Sequence, residues 1–121
     1  KAHEYIFLLS KSRQYYYDHE AIKEDVAQSC ETKNKRSVWT VSPKPFKEAH
    51  FAVYPTELIE PCVLAGCPEN GNVLDPFGGS GTTGLVSDRL RRNATLIELN
   101  SDYAKICENR IHDDAPLFLN M

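Results

Sequence analysis

The sequence predicts an α/β fold, an incomplete and mostly parallel sheet flanked by helices, with an antiparallel hairpin ahead of it. Three observations carry that prediction. A short apolar run at 72–75 passes through a glycine-rich turn into a stretch whose apolar residues recur at helical spacing. The same order repeats at once, with the run 94–99 and the stretch that follows it. Strand, helix, strand, helix in this order implies parallel strands joined by right-handed crossovers. Near the start, an apolar run at 4–10 and an aromatic-rich run at 14–18 flank the polar turn Lys11-Ser12-Arg13, the pattern of two antiparallel strands. About five strands are readable in all, and their edges would stand exposed unless another half of the sheet covered them.

After the hairpin, residues 20–29 read as a short helix. Pro55 suits a first helical position, and Leu58, Ile59, Cys62, Val63 and Ala65 make an apolar stripe up to Gly66, which Pro61 should kink or split. The strand at 72–75 leads to a helix over 81–92 with Leu85, Val86 and Leu90 turned to the sheet. Residues 94–99 form the second strand. Asn100 or Ser101 then caps a helix carrying Tyr103, Ile106, Cys107 and Ile111 at three-to-four spacing. The 121 residues suit one domain, which should bury about two thirds of the surface its unfolded chain exposes.

The ten residues Asp75 to Gly84, DPFGGSGTTG, concentrate the chemistry. A strand that ends in a carboxylate, turns through glycines and enters a helix makes a pocket for a nucleotide-like cofactor. Gly78, Gly79 and Gly81 lack a Cβ, so a ligand can approach the main chain closely. Ser80, Thr82 and Thr83 place hydroxyls and amides at a helix start, where the macrodipole favours a carboxylate or phosphate. A nucleoside-triphosphate loop needs Gly-Lys-Ser/Thr there, and Gly81 is followed by two threonines. The dinucleotide fingerprint G-x-G-x-x-G is met formally by Gly79, Gly81 and Gly84, with Glu98 about 20 residues on. Asp75 argues against a pyrophosphate, which it would repel. S-Adenosylmethionine fits better, with its ammonium for Asp75, its carboxylate for the helix N-terminus and its ribose diol for Glu98.

With these residues in view, Asn72 to Thr83, NVLDPFGGSGTT, resembles the cofactor motif of the DNA amino-methyltransferases of bacteria and phages, in the version where that motif lies late in the chain. The stretch from His50 to Leu58, HFAVYPTEL, resembles the segment that closes over the methionine end. The stretch Leu96-Ile97-Glu98-Leu99-Asn100 resembles the second strand, with Asp102-Tyr103 after it. Residues 2–11, 15–18 and 38–41 are similar, less sharply, to the strands that follow the catalytic loop. The resemblance implies a Rossmann-like methyltransferase fold that moves a methyl group from S-adenosylmethionine to the exocyclic amine of adenine or cytosine in DNA. Residues 1–49 would then be hairpin and connector from the catalytic half, and 50–121 the cofactor-binding half of one partial domain. Asp75, Phe77, Gly79, Ser80, Gly81, Thr82 and Glu98 are the implied cofactor residues, with Thr56 and Glu57 at the methionine end. Tyr15 and Tyr16 are candidates for the pocket of the flipped base. Each has a plainer alternative: Asp75 a turn or cap carboxylate, Glu98 a solvated strand end, Phe77 core, Thr56 and Glu57 a capping pair, and the tyrosines cross-strand packing.

The same family needs a loop of the type Asp/Asn/Ser-Pro-Pro-Tyr/Trp, because the target amine is a poor nucleophile and the base must be held out of the helix. None of the seven prolines is adjacent to another, and Ser42-Pro43-Lys44-Pro45 lacks both the pair and the aromatic. No catalytic residue is therefore expected in this chain. Family order would place that loop upstream of Lys1, so the chain reads either as a fragment missing an N-terminal half or as a cofactor-binding partner subunit completed by a second chain, with a homo-oligomer a further open expectation. A nicotinamide-dependent dehydrogenase domain is the remaining alternative.

Composition sets limits. A net charge of −3 brings no general attraction for phosphates, so DNA contact would be local or supplied elsewhere. Lys33, Lys35 and Arg36 form one short basic cluster and Lys11 with Arg13 another, each of which also reads as a solvated loop. Cys30, Cys62, Cys67 and Cys107 have no zinc-type spacing, so no metal is expected. No secretory or membrane-spanning segment is visible, and a reducing cytoplasm is the expected compartment.

Overall fold

A computed structural model describes residues 2–47 and 53–115. His50, Phe51 and Ala52 of the segment before Pro55, and the boundary expected between 49 and 50, lie outside these residues. In chain order come a 3₁₀ turn at Glu20–Ile22, β1 (Glu24–Asp25), β2 (Thr32–Lys33), α1 (Thr56–Gly66), β3 (Asn72–Asp75), α2 (Thr82–Arg89), β4 (Asn93–Leu96) and α3 (Ser101–Asp114).

The expected strand, helix, strand, helix order is present from β3 onward. β3 and β4 pair in parallel, with Asn72 opposite Asn93 and Asp75 opposite Leu96. Helix α2 packs against both strands and against α1 and α3. Val63, Ala65, Leu85, Val86 and Cys107 are buried in the core so formed, and Ser87 is buried with its hydroxyl donating to the Thr83 carbonyl at 2.7 Å. Gly84 permits this packing. A Cβ there would stand 2.7 Å from Leu96 Cδ1 and 2.8 Å from Ile111 Cδ1.

The ends of these elements depart from expectation for identifiable reasons. Pro55 is the N-cap of α1, not its first residue, and α1 runs through Pro61 without splitting. An interior proline sacrifices one ladder hydrogen bond, while Val63 and Ala65 beyond it are held in the core. Burial of that turn carries the helix past its weak point. Helix α2 stops three residues short of Arg92 because Arg91 takes a left-handed φ of 60°. The Arg92 N–H bonds the Ser87 carbonyl at 2.7 Å and the Arg91 N–H that of Asp88 at 3.0 Å. That pairing is the Schellman cap, built here without the usual glycine. The Arg92 guanidinium then donates to the Cys67 carbonyl at 3.1 and 3.0 Å, tying the end of α2 to the end of α1. Arg91→Gly is expected to stabilise the fold by about 1 kcal/mol by relieving the left-handed strain. Urea unfolding of the two proteins checks it, and an unchanged or lowered midpoint would contradict it.

Strand β4 begins at Asn93 and ends at Leu96, short of the expected Leu99. Beyond it Ile97 donates to the Asp75 carbonyl at 2.9 Å and accepts from the Gly78 N–H at 2.8 Å, so its backbone already serves the turn after β3. Helix α3 starts as expected, with Asn100 Oδ1 accepting from the Asp102 N–H at 2.9 Å and the Tyr103 N–H at 3.4 Å. Its far end is fastened by Arg89, whose Nε donates to Asp114 Oδ2 at 2.7 Å.

The first third of the chain differs most. Residues 4–10 and 14–18 are not strands, and neither is 38–41. Tyr5, Ile6, Phe7, Leu8 and Leu9 are all exposed. A continuous apolar run suits a strand covered on both faces, and a strand exists only with a partner on its edge. Among the described residues nothing supplies either. The helix expected over 20–29 is a single 3₁₀ turn followed by β1, which pairs antiparallel with β2. Only Ile22 of this stretch is buried, and Gln28 turns the chain with a φ of 65°.

Candidate cofactor site

The turn after β3 is held by its own carboxylate. Asp75 Oδ1 accepts from the Phe77 N–H at 2.9 Å, and the Gly81 N–H closes the loop onto the Gly78 carbonyl at 2.8 Å. Gly81 is the N-cap of α2 with φ 84°, a conformation strained for any residue with a Cβ. Glu98 reaches the loop from just beyond β4. One oxygen accepts from the Gly79 N–H at 2.7 Å and the other from the Asn100 N–H at 2.8 Å, so a single carboxylate joins the loop to the start of α3.

A cleft of about 290 Å³ opens over this loop. Five of the residues expected to hold a cofactor line it: Phe77, Gly79, Ser80, Thr82 and Glu98. Phe77 is 84 % exposed, which places its ring on the cleft and not in the core. Gly81 lies beneath, against Cys107. Asp75 borders a neighbouring groove of about 340 Å³, walled by Ile59, Cys62, Val63 and Leu74. Tyr54 connects the two spaces: it lines the first, and its hydroxyl donates to Asp75 Oδ2 at 3.2 Å. Thr83 Oγ1 donates to the same oxygen at 2.6 Å and lies 2.8 Å from the Tyr54 hydroxyl. Burial raises the Tyr54 pKa above the ordinary phenol value, which keeps it a neutral donor beside Asp75.

Thr56 and Glu57 lie elsewhere. Thr56 donates to Glu57 at 3.2 Å, and Glu57 pairs with Lys44, whose ammonium holds its carboxyl below the ordinary value. Tyr15 and Tyr16 are exposed and line neither space. In the basic cluster, Lys35 is engaged inside the protein, 3.3 Å from Glu24 and 4.8 Å from the Trp39 ring centroid.

Two participants were not singled out from the sequence. Tyr54 stands directly before Pro55, inside the stretch HFAVYPTEL, whose resemblance marks the segment as a whole and not this side chain. Arg110 gives no signal, because the groups it bonds, on Ser80 and Thr82, lie 30 and 28 residues away. Among the described residues no group of His, Cys, Asp and Glu could hold a metal ion, and no helix is long and apolar enough to cross a membrane.

A carboxylate offers about four acceptor positions. Glu98 uses two on backbone amides, leaving two, and it lines the cleft. Asp75 accepts three hydrogen bonds and retains one.

Comparison with known proteins bears directly on this arrangement. The chain is 50% identical over 112 residues to the type II methyltransferase M.SmaI of Serratia marcescens, covering 92% of this chain and 38% of that protein. It is 48% identical over 114 residues to the type II methyltransferase M.Cfr9I of Citrobacter freundii, covering 94% and 38%. The chain thus spans 38% of the length of each of these relatives. Among solved structures, the M1.HpyAVI–SAM complex superposes with a TM-score of 0.60 at 27% identity, over 81% of this chain and 44% of that one. PvuII DNA methyltransferase, described as cytosine-N4-specific, shares the fold with a TM-score of 0.66 at 23% identity, over 87% and 42%. The cofactor-type loop therefore sits in an incomplete Rossmann-like methyltransferase sheet, and the DNA methylase family model matches residues 1–109. The chain belongs to the DNA methylase family.

Proposed function

We propose that this chain is the cofactor-binding part of a site-specific DNA methyltransferase that transfers a methyl group to the exocyclic amine of adenine or cytosine. The observation that carries the reading is the loop Gly78–Thr82 clamped by Glu98, which lines the same cleft as Ser80 and Thr82. Glu98 would hold the ribose hydroxyls, Asp75 the ammonium, the start of α2 the carboxylate, and Phe77 and Tyr54 the apolar walls. When bound, S-adenosylmethionine supplies an electrophilic methyl group on a sulfonium that leaves as a thioether.

The rest of the machinery is proposed to lie outside these 121 residues, since no Pro-Pro-aromatic loop occurs among them. Residues up to 49 would belong with the catalytic half and those from 50 onward with the cofactor half. The exposed apolar run Tyr5 to Leu9 supports the reading that this sheet is completed by further polypeptide, from an N-terminal half or a second subunit. DNA is the proposed partner through the complete enzyme, and the bacterial or phage-infected cytoplasm its proposed setting. Thr56 and Glu57, off the cleft as described, would approach the methionine end, and Tyr15 and Tyr16 the extruded base, only with that further part in place.

Calorimetric titration with S-adenosylmethionine, S-adenosylhomocysteine and NAD tests the pocket. Saturable binding of the first two without the third is expected. NAD binding would overturn the reading, as would transfer of labelled methyl to duplex DNA by this chain alone for the division of labour.

A further inference from the structure

Arg110 stands on α3 behind the glycine loop. Its Nη1 donates to Thr82 Oγ1 at 2.7 Å, to Ser80 Oγ at 3.2 Å and to the Ser80 carbonyl at 3.4 Å. The guanidinium is fixed on its other side by the Phe46 ring, 4.6 Å to the centroid. Ser80 and Thr82 are themselves buried and line the cleft, whereas Arg110 does not, so two hydroxyls stand between the cation and the ligand space.

This arrangement has a directional consequence. A hydroxyl oxygen that accepts from a guanidinium must point its own hydrogen away from it. Among the described residues neither hydroxyl donates to a protein acceptor, so both hydrogens are available to the cleft. The site also carries two carboxylates, Asp75 and Glu98, which oppose an anionic ligand group. A cation set behind polarised hydroxyls offsets that opposition at the end of the cleft where they stand.

We propose that Arg110 is a positioning residue that orients Ser80 and Thr82 as donors to the carboxylate at the methionine end of the cofactor, and so confers selectivity for ligands that carry it. The inference rests on the S-adenosylmethionine reading of the cleft and names the group that makes one end of it anion-selective.

The test compares S-adenosylmethionine with decarboxylated S-adenosylmethionine, which differs by the carboxylate alone, in calorimetric titrations of the whole protein that carries this chain. The unaltered protein is expected to prefer the carboxylated ligand. Arg110→Met is expected to reduce that preference about tenfold while changing the decarboxylated ligand little. Arg110→Lys should keep part of it, since the charge survives without the planar fork. Equal weakening of both ligands in Arg110→Met would mean a merely structural role and would overturn the proposal, as would an undiminished preference. If Arg110→Met does not fold, the Arg110→Lys ratio decides, and an unchanged ratio there is equally fatal. Failure of the unaltered protein to bind either ligand would sink the cofactor reading itself, whereas equal binding of both would sink this inference alone.

Discussion

Glu98→Ala is expected to weaken S-adenosylmethionine binding by about 1–3 kcal/mol, the range for losing hydrogen bonds to a charged group. The effect has two sources. The ribose would lose its acceptors, and the Gly79 and Asn100 amides would lose the carboxylate that fixes the loop against α3. Asp75→Ala should fall lower in the same range, because three of its acceptor positions serve Tyr54, Phe77 and Thr83 and only one is left for an ammonium. Calorimetry on both variants, with folding followed by circular dichroism, checks the order. Unchanged affinity in both folded variants would remove the assignment.

Gly81→Ala should cost about 2–4 kcal/mol of folding stability, combining left-handed backbone strain with overpacking. An added methyl group would overlap Cys107 Sγ and stand 3.1 Å from Cys107 Cβ, and the buried core around α2 leaves it little room to retreat. Pairing it with Cys107→Ala separates the two causes. The double variant should recover the share of the overlap due to Sγ and keep the strain and the closer Cβ contact, giving a non-additive cycle. Additive losses in urea unfolding would show that the loop and α3 are not in the contact described.

A smaller effect tests the far end of α3. The Arg89 guanidinium, which hydrogen-bonds Asp114, holds its carboxyl below the ordinary aspartate value. A depressed folded-state pKa gives stability that is present above the unfolded value, near ~4, and lost as pH falls through the folded one. The pair is partly exposed, so the contribution is at most about 1 kcal/mol. Asp114→Asn should lower stability at neutral pH and flatten its decline across that window. An identical acid profile in the variant would contradict this.

Much of the second half of the chain was legible because its signals are local. Asn100 caps α3 from two and three residues away, Leu85 and Val86 mark the buried side of α2, and the glycine spacing of the loop states where the backbone must turn tightly. Asp75 and Glu98 are expected as cofactor carboxylates from the two apolar runs they end or lie within, whereas the bond from the Gly79 amide to Glu98, 19 residues apart, is set by packing. By contrast, the end of α2 was misjudged because Arg91 occupies a position where glycine is the usual marker.

The linear order of residues thus determined the strand, helix, strand, helix unit from β3 to α3 and its glycine loop, since the turns, caps and apolar spacing that mark each element lie within a few residues of one another. Tertiary structure alone decided the rest. Whether 4–10 becomes a strand depends on another strand's amides and carbonyls, which the segment cannot carry itself. That Tyr54 bridges to Asp75, and that Arg110 stands behind Ser80 and Thr82, depends on how helices and strands pack. A hydrogen bond between residues far apart in the chain belongs to neither local pattern. It exists only once folding has brought the two together.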